Sequence, residues 1–335
     1  MHKCYHQKIR YGVVGSGWIV DEMIKGAKQY EDLELVAVYS RTVERATAYA
    51  ARHGASHIFT SLEEMAMFDG IDMVYIASPN RFHMEQAELF LKNGKHVLCE
   101  KPMSALPQEL QKAYETAEEY GCLLVEAIIL LFQPQLEIFK RAIQKIGQIS
   151  LAHFDFSQFS SKFPAYQNGE LPNIFNPVME TGTLQDLGVY CVYPALELFG
   201  KPQSLTATAD FMESGADSAG VSVWKYENQQ VVLTYSKIGQ GAAPSEIIGT
   251  LGTVTVDSIS KLENIVLHMH NEAPQKLWGA EEKHVLMGRE IEMFAQWIKK
   301  GKTSAYEQHK QMSLDVCNYM YQIRKAAGIM FPRDI

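Results

Sequence analysis

The chain has 335 residues, of which 47% are hydrophobic and 21% charged, so it is long enough for two domains and has an ordinary globular composition. Its 31 basic and 39 acidic residues give a net charge of −8. That charge argues against a nucleic-acid or anionic-membrane surface as a binding partner.

The cysteines and the apolar runs indicate a cytoplasmic protein. Residues 1–6 lack the apolar core of a signal peptide, and the most apolar run, residues 122–132, is too short to cross a bilayer. Neither the histidines nor the cysteines show metal-ligand spacing, and scattered cysteines favour buried thiols over a disulfide framework. The five cysteines are Cys4, Cys99, Cys122, Cys191 and Cys317.

The first predicted element is an apolar strand, Ile9–Val14, which leads through two glycines into a helix and then into a second strand, Leu33–Tyr39. Gly15 permits a tight turn, and Gly17 lets backbone N–H groups approach a pyrophosphate at the helix N-terminus. The third small position of the dinucleotide fingerprint is Val20, so the fingerprint is incomplete. The pattern favours dinucleotide binding over an ordinary turn.

The second strand ends in Ser40, Arg41 and Thr42, without the carboxylate that usually bonds the ribose 2′-hydroxyl of NAD. Two hydroxyls and a guanidinium suit a 2′-phosphate instead, because arginine makes charge-assisted contacts with phosphate. A surface arginine before a helix is the alternative interpretation. We therefore expect NADP(H), with NAD still possible.

Strands and helices continue to alternate through the first half of the chain. Helices are predicted at residues 44–53, 61–68, 81–92 and 107–120, and strands at residues 72–77, 95–99 and 123–127. This alternation implies a parallel sheet with right-handed crossovers. We predict a doubly wound (Rossmann) α/β domain over residues 1–127.

Glu100, Lys101 and Pro102 end the strand at residues 95–99. Proline disfavours helix in the residue before it, so the strand stops at the two charges. Open α/β sheets bind ligands at the carboxyl ends of their strands, which makes this pair a candidate site. An ordinary solvated strand end is the alternative.

The hydrophobic pattern changes to period two in the second half. Strands are predicted at residues 150–159, 205–211, 221–226, 231–236, 246–249, 253–257 and 265–269. One helix, at residues 184–199 with a kink at Pro194, interrupts the strands. We expect a second, α+β domain at residues 128–335 with a large, mostly antiparallel sheet.

Two final helices, at residues 285–300 and 307–327, are expected to return to the first domain. Helices then cover one face of the second sheet. Because an uncovered sheet face commonly finds a partner, we expect a homodimer through this sheet.

These patterns together resemble the glucose-fructose oxidoreductase, inositol dehydrogenase and rhizopine-catabolism (Gfo/Idh/MocA) family over nearly the whole chain. The resemblance rests on residues 12–19, Ala77-Ser78-Pro79-Asn80 with His83, Glu100-Lys101-Pro102, Glu126-Ala127, Pro134 and residues 182–190. Sugar and inositol dehydrogenases of the family carry histidine at the place of Tyr190. Tyrosine there is typical of the dimeric dihydrodiol dehydrogenase branch.

The resemblance implies a nicotinamide nucleotide, usually NADP(H) in that branch, and a small sugar-like or polyol substrate. The residues expected to bind the cofactor are Gly15, Gly17, Trp18, Ile19, Ser40, Arg41, Thr42, Ala77, Ser78, Asn80, His83, Glu100 and Lys101.

The resemblance also places Lys101 and Tyr190 at the reacting oxygen. A cation near that oxygen stabilises developing alkoxide charge, which suits Lys101, and the phenol of Tyr190 can pass the proton. Asp186 lies four residues before Tyr190, one helical turn away, and is expected to orient the substrate or the lysine. Without the resemblance, Asp186 and Tyr190 read as an exposed helix pair.

Several residues depart from the family pattern near the expected pocket. Glu180 and Thr181 replace two common glycines, and Leu131 with Leu130 takes the place of a common arginine. Our hypothesis is an NADP(H)-dependent oxidoreductase acting on a hydroxyl or carbonyl carbon of a sugar, cyclitol or diol, with Glu180 influencing substrate choice. The alternative is a non-catalytic dinucleotide-binding sensor or regulator of the same fold.

Overall fold

The computed structural model describes residues 8–334, so Cys4 lies outside the described residues. The described residues form two compact units. Those up to residue 132, together with residues 282–314, form the first, and residues 133–281 with those from 315 onward form the second. The sequence analysis drew the boundary after residue 127; in the structure the first unit continues to residue 132 and includes residues 282–314.

The first unit is built on a six-stranded sheet in the order β3-β2-β1-β4-β5-β6, with every pair of neighbours parallel. Its strands are β1 (Ile9–Val14), β2 (Leu33–Tyr39), β3 (His57–Phe59), β4 (Met73–Ile76), β5 (His96–Glu100) and β6 (Leu124–Ala127). Strands β4 and β6 are buried throughout, as expected for a parallel sheet covered on both faces. The predicted doubly wound sheet is confirmed.

The second unit contains an eight-stranded sheet in the order β14-β13-β12-β11-β7-β10-β9-β8. Its strands are β7 (Ile149–Ser157), β8 (Ser204–Phe211), β9 (Asp217–Lys225), β10 (Gln230–Ser236), β11 (Ser245–Gly249), β12 (Gly252–Val256), β13 (Val266–Met269) and β14 (Gln275–Lys276). Strands β7 and β10 pair in parallel and the other neighbours are antiparallel, which confirms the predicted mostly antiparallel sheet.

Burial alternates along the strands of this second sheet, as the period-two pattern predicts. Phe154, Trp224 and Leu233 point into the core, whereas their neighbours Val223 and Val232 are only partly buried. The sheet therefore has one apolar, covered face and a second face of threonine, valine and serine side chains.

Ten α-helices accompany the two sheets in residues 8–334. They are α1 (Trp18–Ala27), α2 (Val43–His53), α3 (Leu62–Met67), α4 (His83–Lys92), α5 (Pro107–Glu119), α6 (Gln135–Ile143), α7 (Phe163–Gln167), α8 (Val189–Phe199), α9 (Lys283–Lys300) and α10 (Ser304–Ala327).

Helices α1 and α9 pack closely within the first unit, because both carry glycine where they meet. A Cβ atom on Gly26 would lie 2.2 Å from the carbonyl oxygen of His284, and one on Gly288 would lie 2.9 Å from that of Gly26. This close approach places the start of α9 beside the helix that follows the glycine loop.

The helix predicted at residues 184–199 is not regular. Residues Leu184–Gly188 form a π-helical turn, and α8 begins only at Val189, with Pro194 inside it. π turns are rare and occur frequently at functional sites, so this segment is a candidate part of a functional site.

Four short elements were not predicted from the sequence: β3, α6, α7 and β14. The two strands have three and two residues, too few to show a period. Helix α6 did carry a signal, because Leu136, Phe139 and Ile143 are buried at helical spacing.

Candidate active site

The loop between β1 and α1 has the geometry of a phosphate cradle. Gly15 has φ 122°, and a Cβ atom there would lie 2.8 Å from the carbonyl oxygen of Ala77. Gly17 is the N-cap of α1, and a Cβ atom on it would meet nothing within 4 Å. The helix N-terminus therefore faces open space, which fits the pyrophosphate of a dinucleotide. Trp18 and Ile19 begin the helix, and Trp18 is 65% exposed.

Ser40, Arg41 and Thr42 follow β2, the strand next to β1 in the sheet. Ser40 is buried, whereas Arg41 and Thr42 are exposed. Thr42 also caps α2, since its hydroxyl accepts a hydrogen bond of 3.4 Å from the backbone N–H of Arg45. The exposed guanidinium of Arg41 fits the charge of a 2′-phosphate.

Ala77, Ser78 and Asn80 follow β4, on the other side of β1, and the N–H of Ala77 donates to the carbonyl of Val14. The hydroxyl of Ser78 donates to the Gln86 side chain at 2.7 Å. These residues thus lie beside the glycine loop, and their contact with a cofactor stays a prediction.

His83 has a structural role that the sequence analysis did not foresee. It is 1% exposed, with Nε2 2.7 Å from the Ser78 carbonyl and Nδ1 3.0 Å from the Pro102 carbonyl. Burial lowers the pKa of His83, and the positive charge of Lys101 lowers it further. His83 therefore connects the segments after β4 and β5; direct contact with a cofactor stays a prediction.

Glu100 and Lys101 stand at the carboxyl end of β5, within the same edge of the parallel sheet. The hydroxyl of Tyr75 donates to Glu100 Oε1 at 2.5 Å. Burial raises the pKa of Glu100, although Lys101 and Tyr75 act in the opposite direction. Lys101 is half-buried, so its charge acts on both Glu100 and His83.

Helix α9 adds two charged residues that no sequence motif indicated. The ammonium of Lys283 lies 4.5 Å from the ring centroid of Trp18, a cation–π distance. Its charge also lowers the pKa of Glu100 and of the fully buried Glu290, whose own pKa burial raises strongly. Lys283 thus joins the glycine loop to the end of β5.

In the second unit, Asp186 lies in the π turn and pairs with a lysine that the sequence analysis missed. Lys237 Nζ is 2.7 Å from Asp186 Oδ2. Tyr190 is buried in the first turn of α8, and its ring packs edge-on against Phe156 at 5.4 Å. Because the segment up to Gly188 is π-helical, the α-helical spacing assumed for Asp186 and Tyr190 does not apply.

The π turn is fixed by Asp217, a buried carboxylate on β9. Its Oδ2 accepts a hydrogen bond of 2.6 Å from the N–H of Leu184, and its carbonyl accepts one of 2.8 Å from the hydroxyl of Thr183. Burial raises the pKa of Asp217 to about 6. Gly182 has φ 155°, and a Cβ atom there would lie 1.9 Å from Asp217 Oδ1, so glycine is required.

Of the residues that depart from the family pattern, Glu180 and Thr181 have partners within the second unit. Glu180 is 2% exposed and forms a two-fold ion pair with the guanidinium of Arg333. The hydroxyl of Thr181 donates to the carbonyl of Asn173 at 2.6 Å. Leu131, in the first unit, is half-buried in a 3₁₀ turn. The influence of Glu180 on substrate choice stays a prediction.

The structure thus assembles two groups of predicted residues. Glu100 and Lys101 lie in the first unit with the residues expected to bind the nucleotide, and Asp186 and Tyr190 lie in the second, where Lys237 pairs with Asp186. Among residues 8–334, no cluster of histidine, cysteine, aspartate and glutamate is arranged to hold a metal ion. Nor does any helix in that range have the length and apolarity to cross a membrane.

Two family models match the chain. Residues 9–127 match an oxidoreductase family with an NAD-binding Rossmann fold, and residues 140–255 match the GFO/IDH/MocA C-terminal domain.

Two curated proteins illustrate the similarity. The scyllo-inositol 2-dehydrogenase (NADP(+)) IolU of Bacillus subtilis is 38% identical over 326 residues, which cover 97% of this chain and 99% of that protein. The trans-1,2-dihydrobenzene-1,2-diol dehydrogenase of Mus musculus is 26% identical over 346 residues, with 97% and 99% covered.

Among solved structures, the 3-ketoreductase KijD10 from Actinomadura kijaniata in complex with NADP and TDP-benzene superposes with a TM-score of 0.82. It is 21% identical, and the match covers 96% of this chain and 98% of that one. At this identity the likeness shows the fold.

Proposed function

Because the chain belongs to the GFO/IDH/MocA oxidoreductase family, we propose that it transfers a hydride between NADP(H) and the hydroxyl or carbonyl carbon of a sugar, cyclitol or diol. The observation that carries this proposal is the position of Lys101. It directly follows β5 and lies at the sheet edge that also holds the glycine loop after β1, where doubly wound sheets bind nucleotides.

The residues of the first unit fit a dinucleotide. The open helix N-terminus at Gly17 suits the pyrophosphate, and the exposed Arg41 suits the 2′-phosphate of NADP(H). Lys283, beside Trp18, supplies a further positive charge at this edge. The nicotinamide, when bound, supplies the hydride chemistry, and the protein manages the substrate oxygen.

Lys101 stabilises negative charge that develops on the substrate oxygen during hydride transfer, and Tyr190 passes the proton to or from that oxygen. Asp186 accepts a hydrogen bond from a substrate hydroxyl and so orients the substrate. Losing one such charge-stabilising donor costs about 3–4 kcal/mol of barrier. These roles are carried over from the family motifs, residue by residue.

We further propose a cytoplasmic location and a homodimer. The four described cysteines are buried and free, which suits a reducing compartment. The second sheet has a partly exposed face with a depression of about 280 Å³, which could receive side chains of a second copy. Side chains that line it include those of Ser157, Thr208, Asp210, Val221, Thr234 and Ser236.

The test is a panel of cyclitols, sugars and diols, including scyllo-inositol, offered with NADP⁺ and with NAD⁺ while nicotinamide absorbance is followed. We expect turnover of at least one polyol, faster with NADP⁺. If the whole panel stays inert while NADPH changes association of the chain with another protein, the sensor alternative replaces the enzyme.

A further inference from the structure

Lys237 is a buried cation that directly follows β10 in the second unit. Its side chain is 1% exposed. Its backbone N–H donates to the carbonyl of Ser218 at 3.0 Å, and its carbonyl accepts from the N–H of Ser160 at 2.9 Å. The main chain at Lys237 is thus held from two sides.

Three groups surround the ammonium of Lys237. Asp186 Oδ2 lies at 2.7 Å, and the ring centroid of Phe175 lies at 5.9 Å. The charge of Lys237 also acts on the buried Asp217, whose pKa it lowers against the stronger effect of burial. Asp186 is a member of the π turn. Asp217 lies on β9 and accepts a hydrogen bond from the N–H of Leu184 in that turn.

Burying an ammonium group is costly unless paired charges and hydrogen bonds compensate it. The buried Lys237 therefore constrains Asp186, whose side chain is 34% exposed. A carboxylate can accept about four hydrogen bonds, so the ion pair does not exhaust its capacity. A held, partly exposed carboxylate can accept a hydrogen bond from a hydroxyl group without first losing rotamer freedom.

We propose that Lys237 is a positioning residue, which holds the Asp186 carboxylate in the orientation that accepts a hydrogen bond from a second hydroxyl of the substrate. This inference rests on the proposed function, in which Asp186 orients a polyol. Within the proposed sugars, cyclitols and diols, it assigns the Asp186 carboxylate to a hydroxyl that does not react, which a simple monoalcohol would lack.

The test compares Lys237→Met, Asp186→Asn and the double variant in initial rates with the best polyol of the panel. Each single change should raise KM by about 10- to 100-fold, the range for losing a charge-assisted hydrogen bond, with kcat within about threefold of wild type. The Kd for NADPH should stay constant. The KM of the double variant should be no higher than that of Asp186→Asn. If the KM increases of the two single variants multiply in the double variant, Lys237 acts independently of Asp186 and the proposal falls.

Lys140→Met is the matched control. In the unchanged chain, the ammonium of Lys140 lies 2.6 Å from Glu197 Oε1, which is also a lysine–carboxylate ion pair within the second unit. Lys140→Met should lower Tm while KM stays at the wild-type value. An equal rise of KM in Lys140→Met would mean that general loosening of the unit causes the effect, which contradicts the proposal.

A second measurement does not depend on turnover. The unfolding free energies of Lys237→Met, Asp186→Asn and the double variant form a cycle, in which a coupling between the two residues supports the proposal and strict additivity overturns it. A panel without any turnover would contradict the proposed function, whereas the cycle would still test the coupling between Lys237 and Asp186. If Lys237→Met does not fold, Lys237→Gln replaces it, with a smaller rise of KM expected and an unchanged KM counting against the proposal.

Discussion

At the scale of single residues, the charge of Lys101 acts on two titratable neighbours. Lys101 lowers the pKa of both Glu100 and His83. Lys95, at the opposite end of β5, is 4% exposed and lies 4.0 Å from Asp69. A buried lysine, Lys95, and a half-buried lysine, Lys101, thus flank one strand, and of the two Lys101 stands at the carboxyl edge.

Lys101→Met should lower turnover by about two to four orders of magnitude, because a charge-stabilising group at the substrate oxygen is lost. NADPH affinity, measured by fluorescence titration, should change little. Lys95→Met is the control and should keep wild-type turnover. Full activity of Lys101→Met would remove the basis of the proposed mechanism.

Arg41→Asp should abolish or reverse the preference for NADPH over NADH. A carboxylate at the end of β2 repels a 2′-phosphate and can bond a 2′-hydroxyl. Fluorescence titration with both nucleotides measures the two Kd values. Lys25→Asp, an exposed change of the same charge on α1, should leave the ratio unaltered. Equal affinity of the wild type for both nucleotides would contradict the assignment of Arg41.

At the scale of elements, helix α10 brings a buried histidine into the first unit. His309 is buried, with ring centroids of Phe132 at 5.1 Å and Trp297 at 5.6 Å from its own. Burial lowers the pKa of His309 to about 4, although a hydrogen bond from the ring to the backbone of Glu126 acts in the opposite direction. The neutral ring is therefore the form that the fold accepts.

Because His309 is buried, the free energy of unfolding depends on pH in the range between its two pKa values, folded and unfolded. Between about pH 6.5 and 4 the unfolded chain binds a proton at residue 309 and the folded chain does not, so the folded state loses stability as the pH falls. The full loss is about 3 kcal/mol, at 1.36 kcal/mol per pKa unit. His309→Phe should flatten this part of the pH profile, as measured by denaturant unfolding at several pH values. An unchanged slope would show that His309 is protonated in the folded state.

At the scale of the whole molecule, the second sheet has one face of partly exposed side chains. Val221, on β9, is 40% exposed and pairs with Thr208 and Thr234 on the neighbouring strands. Such a face with small, partly apolar side chains is suited to a symmetric contact with a second copy, in which each residue meets the same patch on its partner.

Val221→Glu should shift the proposed dimer toward monomer, because a two-fold contact would bury the new charge twice. Sedimentation velocity at micromolar concentration measures the change. Met67→Glu, which also places a carboxylate at an exposed apolar residue, should leave the oligomeric state as it is. A wild type that sediments as a monomer would contradict the proposed dimer.

The sequence by itself determined the parallel sheet, the glycine loop, the end of β5 at Lys101, the mostly antiparallel second sheet and the family. These features follow from local chemistry: strand and helix periods, the conformational freedom of glycine, and the restriction that Pro102 imposes on Lys101. The glycine loop and the end of β5 are each read within a few residues, whereas the parallel sheet follows from the alternation of strands and helices and the family from motifs along nearly the whole chain.

Only the tertiary structure decided which partner each charged side chain contacts. Lys237 pairs with Asp186, Lys283 covers Trp18 and Arg333 holds Glu180, and in each pair the partners are far apart in the chain. The π turn at Leu184–Gly188 belongs to the same class, because Asp217 on a distant strand fixes it. Such pairs depend on how elements pack and at which register they meet, and neither is encoded in the hydrophobic period of any single element.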